Sequence, residues 1–339
     1  LTLENIGEEK MKRIHPRGAV LMMSVLLSFL VVPVWATGAE QPIEAEETGE
    51  VTHTKEAETH LYPLVKYDFA SLGSQGIHSP AAGLLLMNDE LMLLGFYTRY
   101  GFTKSLEFGY PEVYHSIDLL LDGAKGNHQY IVLFKSEADK PILGGLASFQ
   151  TAAVYGYRLL NTEHNSLVLG AGLAVSDFGI ELEDGSPWPL IPVPLIRFNH
   201  ESKLLSASFD FITGPNLSLT LMPENRVRVK ADVRMDQFRD IHDLIFETEL
   251  MYRFFGKDHP TGDFAGISAG IKNEGYSFAA EGKDEPVEVN YYSVFGSLDI
   301  TLLKCTGGYV FDSRERYNGD DSSTMGRGFF LSIEGMYQF

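Results

Sequence analysis

Between residues 226 and 235 the chain alternates charge and apolar bulk at every step, and few folds accept that. Arg226, Arg228, Lys230, Asp232 and Arg234 fall on one side, with Val227, Val229, Ala231, Val233 and Met235 on the other. An extended strand points successive side chains to opposite faces, so the two sets separate. Five charges on one face resist burial in a dry core, because an ion taken out of water is costly unless paired. The segment fits a strand with an apolar medium on one side and water on the other.

Other segments repeat the pattern. Leu244, Phe246, Leu250, Tyr252 and Phe254 oppose Glu247, Glu249 and Arg253 across 244–254. Leu167, Leu169, Ala171, Leu173 and Val175 oppose Ser166, Gly170, Gly172 and Ser176, and Leu217, Leu219 and Leu221 alternate with Ser218 and Thr220. Helical spacing explains none of these as well, and no convincing long helix follows residue 40. Short connections (88–90, 123–127, 161–165, 199–203, 223–225) contrast with longer polar ones at 103–113, 179–190, 279–287 and 313–327. The mean hydropathy of −0.06 suits a spanning barrel, in which only alternate residues face lipid. The expectation is an all-β fold, a transmembrane antiparallel up-and-down barrel over residues 61–339. The roughly 280 residues, at about 20 per strand with its share of loop, suggest 14 strands within a range of 12 to 16.

The end of the chain sharpens this reading. Phe329, Leu331, Ile333, Tyr337 and Phe339 form one face, interrupted by Gly335; Phe330, Ser332, Glu334, Met336 and Gln338 form the other. The pattern resembles the closing strand of bacterial outer-membrane β-barrels, closely over this strand and elsewhere only in style. The resemblance implies that Leu331, Ile333, Tyr337 and Phe339 are the signal read by the barrel-assembly machinery. It also implies periplasmic chaperones and outer-membrane lipids as partners, with short turns in the periplasm and long loops outside. An amphipathic last strand of a soluble sheet has a similar look, so a secreted β-sandwich stays open.

The N-terminal residues are read as an export signal. Lys12, Arg13 and Arg17 precede an apolar run from Ala19 through Val32, and small residues at 34–39 offer cleavage sites, the layout of a signal peptide over 11–39. Residues 1–10 precede Met11 and read as a mis-assigned upstream segment. Residues 40–60 carry seven glutamates and little to bury, which predicts a disordered acidic tail. Without residues 1–39 the chain holds 23 basic and 43 acidic residues, a net charge of −20. That balance argues against nucleic acid as a partner. A single cysteine, Cys305, excludes an intrachain disulfide and a thiolate metal cluster.

No catalytic motif stands out, and no cofactor or metal is expected. Asp236, Asp240, His242 and Asp243 read as a polar loop. Pro187, Pro189, Pro192 and Pro194 predict a rigid loop or an edge approach, with Trp188 pinning an outer loop over the barrel mouth. Aromatic groups at Phe96, Tyr97 and Tyr100, at Tyr155 and Tyr157, at Tyr252, Phe254 and Phe255, and at Tyr291 and Tyr292 suit interfacial girdles. Arg226, Arg228, Lys230 and Arg234, facing Glu247 and Glu249, are the candidate pore-lining residues. The expected function is passive or weakly selective passage of small solutes. A salt-bridged barrel that conducts nothing, and an enzyme or adhesin working through its outer loops, are the alternatives.

Overall fold

The computed structural model describes residues 59–106, 109–141, 145–178, 180, 188–212, 214–235, 244–256, 264–283, 286–317 and 321–336. The expected leader, nearly all of the acidic segment, the Asp236–Asp243 cluster, Tyr337 and Phe339 lie outside that set.

Each alternating segment is a strand. The first eight are β1 (His60–Leu72), β2 (Gln75–Met87), β3 (Leu91–Phe102), β4 (Val113–Lys125), β5 (His128–Ala138), β6 (Phe149–Asn161), β7 (Asn165–Val175) and β8 (Leu190–Glu201). Two short strands follow, β9 (Leu205–Phe211) and β10 (Pro215–Leu221). Then come β11 (Val227–Met235), β12 (Leu244–Gly256), β13 (Phe264–Phe278), β14 (Val287–Ile300) and β15 (Leu303–Tyr317). A four-residue strand, β16 (Asp321–Thr324), precedes the last, β17 (Gly328–Met336).

Every pairing among these strands is antiparallel between chain neighbours, except that β15 also pairs with β17, and β1 pairs with β17 as well as with β2. Leu64 to Ala70 lie opposite Met336 to Phe330, which shuts the sheet on itself. The fold is a closed up-and-down barrel of 16 strands, with β16 outside the ring. Closure leaves no long open edge seeking a partner. Sixteen lies within the expected 12 to 16, above the central value of 14 in part because β9 and β10 have only seven residues each.

Outside, strand after strand presents exposed apolar side chains, among them Val65, Leu84, Leu119, Leu169, Leu250 and Leu331. They meet in register across the wall, as Ile271 does with Val294 and Tyr67 with Ile333. The alternate residues point inward. Arg197 of β8 reaches Asp122 of β4 at 2.6 Å, a contact between strands four apart that only the interior permits.

The connections sort by end. Turns 88–90, 126–127, 162–164, 202–204, 222–226 and 301–302 share the end where β1 starts and β17 finishes, here the terminal end. The longer segments 103–112, 139–148, 176–189, 279–286 and 318–327 lie at the opposite, loop end, where 73–74 and 212–214 are the short exceptions. The proline-rich stretch divides between loop and strand. Pro192 and Pro194 enter β8 opposite Leu173 and Ala171 of β7. Pairing of β8 with β9 begins only at Ile196, so the missing N–H groups break no bond on that side.

Candidate functional site

The barrel wall divides at β13. Its ladder with β12 stops at Glu247 opposite Lys272, whereas its ladder with β14 continues to Phe278 opposite Val287. At the fork the Asn273 side chain replaces the ladder. Its Oδ1 accepts from the Phe246 N–H at 2.6 Å, and its Nδ2 donates to the Leu244 carbonyl at 2.8 Å. On the far side, β15 leaves β17 after Val310 and takes β16 as its neighbour. A bulge at Phe311 sits at that level, and an extra residue bends a strand locally. Residues 273–278, 287–292, 312–317 and 321–324 therefore form a four-stranded flap, released from the wall along both edges.

The flap crosses the mouth. Ala279 bridges Ala138 at the top of β5, eight strands away and half-way round the ring. The Ala279 N–H donates to the Glu137 carbonyl at 3.0 Å, and the Asp139 N–H donates to the Ala279 carbonyl at 3.1 Å. Lys140 pairs with Glu281 at the tip, and that bond holds the ammonium above the usual lysine range. The inner face of the flap packs on β3 and β4. The Phe278 ring lies 4.9 Å from Tyr100, 6.0 Å from Phe102 and 4.6 Å from Tyr114, and Tyr276 lies 5.3 Å from Tyr100. Tyr110 of the 103–112 loop packs against Tyr317 with ring centroids 5.0 Å apart. Leu72, Ile77, Val287, Val289 and Val310 complete a buried aromatic and aliphatic plug.

This plug corrects part of the girdle expectation. Tyr97, Tyr155, Tyr157, Tyr252, Phe254 and Phe255 are exposed on the outer wall, but Tyr100 and Tyr291 are buried inside it. Likewise Ser313 to Arg316, expected in a loop, belong to β15. The sequence carried a signal for the flap that the alternation alone did not reveal. In β13 the outward residues are apolar through Ile271 and then become Asn273, Gly275 and Ser277, while the inward ones change from Lys272 and Glu274 to Tyr276 and Phe278. In β14 the same inversion separates Val294, Leu298 and Ile300 from Glu288 and Asn290. A strand whose two faces exchange polarity part-way along has left one environment for another.

Part of the lumen wall is apolar too, with Ile131, Val154, Val168, Val193 and Leu195 clustered on β5 to β8, beside the inward Lys135 and Glu137 of β5 and Arg197 of β8. A further group of charges lies toward the terminal end. Of the sequence-selected residues, Arg228, Lys230 and Arg234 lie on the inward face of β11, and Glu247 and Glu249 on that of β12. Lys230 stands opposite Glu249 across the ladder and pairs with Asp232 at 2.7 Å. Arg228 stands opposite Met251, with Nε 3.2 Å from Sδ. Arg226 sits exposed in the turn before β11, where its carbonyl accepts from the Arg253 N–H at 2.8 Å.

The charged faces the sequence missed are supplied by distant strands. Lys66 pairs with Asp68 at 3.3 Å and with Glu334 at 3.1 Å; Lys272 pairs with Glu274 at 2.6 Å; Arg197 also holds Asp210 at 2.6 Å. A cavity of about 790 Å³ opens at the terminal end, lined in part by Lys66, Asp118, Arg228, Arg234, Asp299 and Lys304. Elsewhere, Leu331 and Ile333 face outward on β17. Trp188 lies at the loop end with its ring partly exposed; its indole N–H donates to the Leu190 carbonyl and its backbone N–H to that of Ile180.

These features define a closed β-barrel with an apolar exterior, a charged vestibule and a mouth covered by its own strands. No protein-family model and no curated protein matches the chain. Among solved structures, an outer membrane channel from Pseudomonas putida F1 is similar at a TM-score of 0.29 and 12% identity, over 86% of this chain and 100% of that one.

Proposed function

We propose that the protein is an outer-membrane barrel that passes small polar solutes with weak charge selectivity, and that the flap closes it at the loop end. The single observation carrying this reading is the pairing of an apolar belt on the outside with a charged cavity of about 790 Å³ inside. Water and hydrocarbon are the two media that such opposite faces require, and a closed sheet is the only β-form that satisfies its backbone in lipid. In this reading Arg228, Lys230, Arg234, Glu247 and Glu249 line the route, with the long loops outside and the termini in the periplasm. Leu331 and Ile333, with Tyr337 and Phe339, serve as the assembly signal.

Planar-bilayer recording of the refolded barrel tests it. The intact protein is expected to give brief, infrequent openings, and a chain with 276–289 replaced by a short turn, which removes both Phe278 and the Ala279 bridge, is expected to conduct steadily. Silence from both at every voltage overturns the channel and favours a barrel whose work lies in its loops.

A further inference from the structure

Where the flap leaves the wall it opens a cleft that belongs to both media. The cleft has a volume of about 450 Å³ and is lined from the lumen side by Lys135 and Glu137 of β5 and by Ile245 of β12. From the flap's other face it is lined by Glu288, Arg314 and Arg316, and at its outer lip by Tyr292 and Phe311. Phe311 is exposed on the outer wall, and Tyr292 lies between it and Phe246, with ring centroids 6.3 Å from each. An aromatic lip on the apolar belt thus leads sideways into a charged recess, past the fork that Asn273 secures.

The charges in the recess come in opposed couples. Lys135 pairs with Glu137 at 3.2 Å, Arg316 with Glu288 at 3.2 Å, and Arg314 with Asp312 at 3.4 Å. A head group with one sign of charge would attract one member of each couple and repel the other. A head group carrying both signs can replace a couple on both sides.

We propose that this cleft is a lateral binding site for a zwitterionic amphiphile, its head among the ion pairs and its tail over Tyr292, Phe311 and Phe246. The proposal rests on the membrane reading above, but not on conduction.

The test uses the refolded protein in dimyristoyl phosphatidylglycerol vesicles, with three photolabels sharing one diazirine-bearing alkyl tail. Their heads are a sulfobetaine, a carboxylate and a maltoside, and adducts are mapped by mass spectrometry. The sulfobetaine label is expected to concentrate on Phe246, Tyr292 and Phe311 by about fivefold over the belt residues Tyr155 and Leu169, the scale of one half-exposed ion pair. R314Q, at an exposed side chain, is expected to remove that excess while leaving the maltoside pattern unchanged. G275F narrows the cleft, since a Cβ there meets only the flexible end of Ile245 at 2.7 Å and Asn290 at 3.8 Å; it is expected to suppress labelling of all three residues. Even labelling around the belt, or equal enrichment of the three heads, overturns the site. Absence of adducts anywhere on the belt, with the barrel intact, overturns the membrane reading itself.

Discussion

At the scale of the residue, Asn273 decides where the wall divides. Its amide has both a donor and an acceptor, so one side chain closes the Leu244 carbonyl and the Phe246 N–H that the departing strand leaves open. It is 2% exposed, and water cannot easily take its place. N273A removes two bonds, each contributing about 0.5–1.5 kcal/mol net, and strands two backbone groups. Urea titration of the vesicle-embedded barrel should show a loss of about 1–3 kcal/mol. N273D keeps the acceptor and loses the donor, so an intermediate loss is expected. A null result for both variants would show that the fork is held by the flap's packing and not by this amide. Lys140 acts at the same scale on the flap tip. Because its bond to Glu281 raises the ammonium above the ordinary value, the pair is complete below about pH 10.4 and fades as the pH climbs through the raised value. Opening frequency should therefore be flat from neutral pH to about 9 and rise beyond about 10.4, and K140Q should abolish that rise.

At the scale of the element, the flap is held by rings more than by hydrogen bonds. Phe278 is fully buried and touches Tyr100, Phe102 and Tyr114, so F278A removes the centre of the plug. Truncating a buried Phe costs about 3–5 kcal/mol, and here the cost should fall on docking of the flap, because the wall strands keep their ladders. Single-channel recording should show a large gain in open time with the barrel's denaturation midpoint little changed. A lowered midpoint without added current would place Phe278 in the fold instead of the gate. Wall strands such as 227–235 were legible from the sequence because their two faces differ in polarity along the whole length. The flap was not, because alternation says only that two faces differ. Tyr276 and Phe278 occupy the same parity as Lys272 and Glu274, and only the exchange of polarity along β13 marks the departure. The partner strand for Ala279, eight places away, leaves no mark in local pattern at all.

At the scale of the whole molecule, the arrangement of charge predicts how the proposed channel would discriminate. The vestibule does not carry a single sign. Lys66, Arg228, Arg234 and Lys304 face Asp118, Asp299 and Glu334 around one cavity. Opposite charges across a water-filled space set up a transverse field, which orients polar solutes yet leaves little net barrier to either sign of ion. In a potassium chloride gradient, flap-shortened barrels should therefore give a reversal potential near zero. Substituting Arg228 should unbalance the ring more than substituting Lys230, because Arg228 lines the cavity and Lys230 does not. R228E should shift the reversal potential toward potassium, and K230E should shift it less. Equal shifts would mean that ions pass closer to the middle of β11 than the cavity suggests. A strongly cation-selective parent would mean that the acidic groups at the mouth, not the vestibule, set the barrier.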